Sequence, residues 1–84
     1  MITELKDTVD MMLSDDYKER FKAEYYQLKI RHDKLHQYII KYEAGKLDPK
    51  PETSLEIFKQ QAMAMGRYIY ALEIRAQLEG IDLQ

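Results

Sequence analysis

Two runs of apolar residues spaced by threes and fours, parted by a stretch that holds both prolines of the chain, constrain this sequence more than any other feature. The first run is Tyr17, Phe21, Tyr25, Leu28, His32, Leu35, Ile39 and Tyr42. These steps keep the side chains on one side of a helix, close to a heptad seam, and they predict one helix over residues 17–43. Its start is marked by Ser14-Asp15-Asp16, where a short side chain takes a free amide of the first turn, and Asp16 with Glu19 has capping-box spacing. Gly45 stands where a left-handed residue would end it. Helix cannot run through Leu47-Asp48-Pro49-Lys50-Pro51-Glu52, so a compact turn is expected there.

The second run is Leu55, Phe58, Ala62, Met65, Ile69, Leu72 and Ala76, preceded by Thr53 and Glu56 in T-x-x-E order and closed by Gly80. This predicts a helix over residues 54–79 with Thr53 as its cap. Two helices of nearly equal length on either side of a short turn imply an antiparallel pair, each about 40 Å long at 1.5 Å per residue. In residues 1–14, Ile2, Leu5, Val9 and Met12 share one face of a shorter amphipathic helix, expected to fold over the open end. A chain of 84 residues has room for a single small core. The expected fold class is therefore all-α, with residues 1–84 forming a single helical-hairpin domain.

Some apolar residues fall outside these two seams. Ile57, Met63, Tyr70 and Ile74 point away from the second, and Tyr26, Ile30 and Ile40 away from the first. Left open, they exceed the apolar patch that soluble monomers normally carry, so the hairpin is expected to assemble into a homo-oligomeric helical bundle. Ala62, Ala64 and Gly66 are small residues in mid-helix, suited to a close helix crossing.

The charge pattern narrows the function classes. Residues 1–16 carry Lys6 against Glu4, Asp7, Asp10, Asp15 and Asp16, whereas residues 17–43 carry seven bases against four acids, and the net charge is -2. An acidic head before a basic helix, with a pI near 5.6, does not suit long nucleic acid, but a small anionic ligand needs only a few placed cations. The absence of Cys removes disulfides and thiol chemistry and suits a reducing compartment, and no apolar run reaches the length of a membrane span. Residues 1–10 lack the basic flank and apolar block of a signal peptide, so a cytoplasmic protein without a membrane partner is expected.

His32 and His36 have the i, i+4 spacing of a metal pair, yet a third ligand is missing, and the simpler reading makes His32 a seam residue and His36 solvated. Asp15, Asp16, Glu19 and Glu24 serve as caps and dipole partners, and the three glycines are too scattered for a phosphate loop. Neither an enzyme nor a cofactor or metal is expected. The remaining signal is a stripe of cations and tyrosines: Tyr17, Arg20, Glu24, Arg31 and Lys34 on the first long helix, and Gln61, Arg67, Tyr68 and Arg75 on the second. Hairpin pairing about residue 48 brings Arg20 toward Arg75, with Glu24 in reach of both. Two readings stand: an ion-pair cluster in which Glu24 neutralises the arginines, or arginine forks gripping a phosphate while Tyr17, Tyr68 or Tyr70 stacks a base.

The string Asp16-Tyr17-Lys18-Glu19-Arg20, with Glu24-Tyr25, Leu28-Lys29-Ile30-Arg31 and Lys34-Leu35, then Gln61, Met65, Tyr68, Leu72-Glu73 and Arg75 after the proline turn, resembles a family of small phage and prophage proteins over residues 15–78. That family is labelled as related to a crAss-like phage protein. The architecture is also remotely similar to the helical hairpins of viral anti-CBASS and anti-Thoeris sponges, which assemble as oligomers and sequester cyclic oligonucleotide or cyclic ADP-ribose signals. The resemblance implies a phage-encoded, non-enzymatic anti-defence protein acting in the host cytosol on a small signalling nucleotide, with Tyr17, Arg20, Arg31, Lys34, Arg67, Tyr68 and Arg75 as ligand-binding candidates. The alternative is a helical interaction module that docks on a host or phage protein and inhibits or assembles it.

Overall fold

A computed structural model describes residues 2–83. The described residues are helical with no strand: a 3-10 turn at Leu5–Thr8 runs into the single-turn α1 at Val9–Met12, followed by the long helices α2 at Tyr17–Glu43 and α3 at Leu55–Glu79. α2 and α3 pack antiparallel in a body of 43 × 24 × 18 Å.

The helix ends follow from local chemistry. Asp16 caps α2 by accepting from the Lys18 amide at 3.0 Å, and its own amide is held by the Ser14 hydroxyl at 3.0 Å. At the other end Gly45 adopts φ 71°, which lets the Lys46 amide reach back to the Lys41 carbonyl at 2.9 Å. Gly80 repeats this device on α3 with φ 68° and an Ile81 amide bonded to the Ala76 carbonyl at 2.8 Å. A side chain at either position would strain the left-handed turn. The start of α3 departs from the T-x-x-E expectation by one residue. Ser54 is the cap, its hydroxyl accepting from the Ile57 amide at 3.3 Å, while Thr53 stays outside and offers its carbonyl to the Tyr42 hydroxyl.

The seam between the helices matches the spacing. Phe21, Tyr25, Leu28, Ile69, Leu72, Ala76 and Ile81 form the core cluster, with Tyr26, Met65 and Leu83 packed against it. Toward the turn the seam continues through half-buried residues, and Phe58 receives Tyr38 and Tyr42 edge-on at ring distances of 5.4 and 6.2 Å. Gly66 faces His32, but a methyl group there would sit 3.8 Å from Nε2, an ordinary contact, and Ala64 is exposed. The crossing of α2 and α3 therefore does not need these small residues.

The N-terminal segment differs from expectation in both shape and place. It packs along the flank of α2 and not over the open end of the hairpin. Because it begins as a 3-10 turn, with three residues per turn, its inward positions recur every three: Ile2, Leu5, Thr8 and Met11 are buried or half-buried, whereas Val9 and Met12 face solvent. Thr8 is fully enclosed, its hydroxyl donating to the Leu5 carbonyl at 2.7 Å and accepting from Gln27 Nε2 at 2.8 Å. The same segment buries Ile30, expected on an open face, and Ala23. What closes the core at the open end is the tail beyond Gly80, through Ile81.

Candidate functional site

Along one edge of the open half, tyrosines meet carboxylates across the helix pair. Tyr17 donates its hydroxyl to Glu79 at 2.7 Å and accepts from Arg75 at 2.8 Å, while Arg75 Nε also pairs with Glu79 at 3.2 Å. The Arg75 guanidinium lies 5.0 Å from the Phe21 ring centroid, a cation–π distance. Two steps further, Tyr68 donates to Glu24. On the opposite edge Tyr25 donates to Glu73 at 2.7 Å. Electrostatics follow from these partners: the Tyr17 bond and then Arg75 hold the Glu79 carboxyl below its ordinary range, and Glu79 raises both Tyr17 and Arg75. Burial, reinforced by Glu73, pushes Tyr25 up to about 12.

These bonds decide what several predicted site residues are doing. Arg75, Tyr17 and Tyr68 spend their polar groups on helix-to-helix bonds. Arg20 turns back to the Ser14 carbonyl at 2.8 Å, bracing the joint between the N-terminal segment and α2. Glu24 is engaged by Tyr68 and by neither arginine, so the expected cluster of Arg20, Arg75 and Glu24 does not form. Arg67 lies on the side of α3 turned away from α2, and among the described residues its one hydrogen-bond partner is the Met63 sulfur at 3.8 Å. Tyr70 is exposed on that same side.

Arg31 and Lys34 are different. Both are exposed, and among the described residues neither makes a hydrogen bond or an ion pair. Their setting comes from the N-terminal segment. Ala23, Gln27, Ile30, Lys34, Gln37 and Lys41 follow one another at fours and threes along a single flank of α2. The segment covers the first three and leaves the last three open. There Asp33, Lys34, Gln37, Tyr38 and Lys41 line a shallow groove of about 300 Å³. Arg31, Lys34, Tyr38 and Lys41 thus follow one another in a stripe at threes and fours; Lys34 and Lys41 line the groove with Asp33 and the half-buried Tyr38 ring that Phe58 meets edge-on, and Arg31 lies one turn earlier on the helix. Tyr38 and Lys41 were missing from the expected site. Their signal was available, since the spacing that links Arg31 to Lys34 continues through them.

The stripe suits binding of an anion: mobile ammonium groups and one guanidinium fork supply charge-assisted donors, and the tyrosine offers an apolar face. Asp7 is the other carboxyl held low, by the amides of Thr3 and Glu4 at 3.2 and 3.0 Å, and it only stabilises the N-terminal turn. Among the described residues no group of three or more His, Asp or Glu side chains gathers as a metal site, and no helix is long and apolar enough to cross a membrane.

No curated protein and no solved structure matches the chain. A family model does, over residues 15–78, which takes in the turn and all but the last residue of the two long helices and leaves out the N-terminal segment. The chain belongs to the Sequestin family.

Proposed function

We propose that the chain is a non-enzymatic sponge that binds and withholds a small anionic signalling nucleotide of the cyclic oligonucleotide or cyclic ADP-ribose type, as a phage would use against host defence in the cytosol. The family name supports sequestration as the task. The observation that carries the choice of ligand is the stripe of Arg31, Lys34 and Lys41 on the open flank of α2, whose side chains make no hydrogen bond or ion pair among the described residues, with Tyr38 between the two lysines. From residue 31 to residue 41 the stripe runs about 15 Å at 1.5 Å per residue, a length for a small ligand with two or three phosphates. Arg75 and Tyr17 leave the ligand set in this reading because their polar groups are already satisfied. The groove is shallow and open, and the ligand is held without being changed.

A thermal-shift screen against cyclic di- and trinucleotides and cyclic ADP-ribose isomers tests this. A ligand that binds the native state at a hundred times its Kd adds about 2.7 kcal/mol, a rise of roughly 10 to 20 °C for a chain of this size. In Arg31→Ala the affinity falls about tenfold or more, since a charge-assisted bond is worth roughly 1.5 to 3 kcal/mol, while the melting temperature without ligand stays put. The bound molecule comes back intact after heat denaturation. Flat curves with every signal, or a cleaved product, overturn the reading and leave a protein partner as the target.

A further inference from the structure

α3 carries two seams. One is spent on α2; the other runs along its far side as Gln60, Met63, Arg67, Tyr70, Ile74 and Gln77, spaced 3, 4, 3, 4 and 3. Met63, Tyr70 and Ile74 on this stripe are 60%, 66% and 45% exposed, on well-formed helix, and Leu78 beside it is 81% exposed. Exposure of that kind on a regular heptad pattern marks a surface built for another helix.

The order of the side chains says which helix. The stripe is self-complementary about a point between Tyr68 and Ile69: turned end for end, Gln60 meets Gln77, Met63 meets Ile74 and Arg67 meets Tyr70. A two-fold interface must be self-complementary in this way, each residue facing a different residue of the second copy and the reverse. In an antiparallel pair each Arg67 lies over the other copy's Tyr70 ring, a cation–π contact made twice, and among the described residues Arg67 has no carboxylate partner to give up. A parallel pair sets Arg67 against Arg67 instead. The stripe itself holds no acid, and Ala64 and Ala71 border it where small side chains let two helices approach.

We propose that the occupant of this face is a second copy of the chain, packed α3 to α3 antiparallel with Met63 opposite Ile74 and Arg67 opposite Tyr70. This deepens the reading of the protein as an assembled sponge. It gives the bundle its partner and register, and it places Arg67 in the contact and not in the ligand.

The test needs no nucleotide, so its outcome is separate from that of the ligand screen. Light scattering over a dilution series gives a mass approaching twice 10.1 kDa, and Ile74→Glu returns it to 10.1 kDa with unchanged helicity, because the residue is exposed in the single chain. Register is read with disulfides, since the chain has no Cys of its own. Oxidising a mixture of Met63→Cys and Ile74→Cys chains yields a linked heterodimer, whereas neither variant links to itself, its two thiols being about 16 Å apart along the helix axes. A wild-type mass of 10.1 kDa at every concentration, a larger assembly unmoved by Ile74→Glu, or self-linking of Met63→Cys overturns the proposal.

Discussion

Between Phe21 and Ile30, α2 is enclosed on two sides, by α3 and by the N-terminal turns, whereas beyond Asp33 it packs on α3 and, at its end, on the proline turn through Tyr42. Nearly every buried residue lies in the first half or in the α3 turns and tail opposite it; in the turn half only Ile39 is buried to the same degree. Polar chemistry divides in the same way. The enclosed half ties its tyrosines to carboxylates and engages Arg20 and Arg75 with a carbonyl and a ring, while the side chains of Arg31, Lys34 and Lys41 make no hydrogen bond or ion pair among the described residues. One continuous helix can thus hold a fold at one end and offer a surface at the other, because a short segment covers only part of its flank.

The largest effects expected sharpen this contrast through the core. Leu72 is 1% exposed, so Leu72→Ala costs about 2 to 5 kcal/mol in urea unfolding. Leu35→Ala, at a half-buried position of the turn half, costs about 1 to 2 kcal/mol for the smaller area withdrawn. Equal losses would abolish the distinction between the halves. Next is Thr8→Val, which leaves the Gln27 amide without its acceptor and costs about 1 to 3 kcal/mol. Limited proteolysis then finds residues 1–14 released while the hairpin stays helical; global unfolding would show that the segment is part of the main core.

Smaller changes probe the turn half. Gly66→Ala stabilises by up to about 1 kcal/mol, since helical Gly is costly and the methyl group fits against His32. A loss of stability would mean a tighter crossing than the structure describes. Ser54→Ala costs about 1 kcal/mol and Thr53→Ala much less, because only the Ser54 hydroxyl holds a first-turn amide. The smallest effect is in acid. Glu79 and Asp7 both have carboxyls held below their ordinary values, so their stabilisation is complete above the unfolded range near pH 4 and is lost as pH falls through the lowered folded values. Amide exchange monitored against pH shows the enclosed half loosening first; loss beginning in the turn half would contradict that assignment.

Legibility in the sequence tracked how local the determinant was. The α2 and α3 seams, the Asp16 cap and the two glycine stops depend on residues within a turn or two of one another, and spacing exposes them. Thr53 and Ser54 are adjacent hydroxyls with similar credentials, and the choice between them depends on where the chain leaves the proline turn. For the site, residue type pointed to cations and tyrosines together but could not say which were already engaged. Arg75 and Arg31 look alike in the sequence. They differ because Tyr17 comes to Arg75 across the hairpin and Glu79 reaches it from one turn further along α3, whereas among the described residues the Arg31 side chain makes no hydrogen bond or ion pair.

By itself, then, the sequence determined an all-helical hairpin, its lengths, its seam and its stops, since 3.6-residue periodicity, capping and left-handed glycines are properties of short stretches of chain. Only the tertiary structure decided that the N-terminal segment begins as a 3-10 turn along α2 and not as an amphipathic helix over the open end, that Ile81 closes the core, and that Arg75 is engaged while Lys34 and Lys41 line an open groove with Tyr38. The physical reason is that these outcomes depend on which surface is left to cover once α2 and α3 have packed, and that surface is set by residues as far apart as Thr8 and Gln27, or Tyr17 and Glu79.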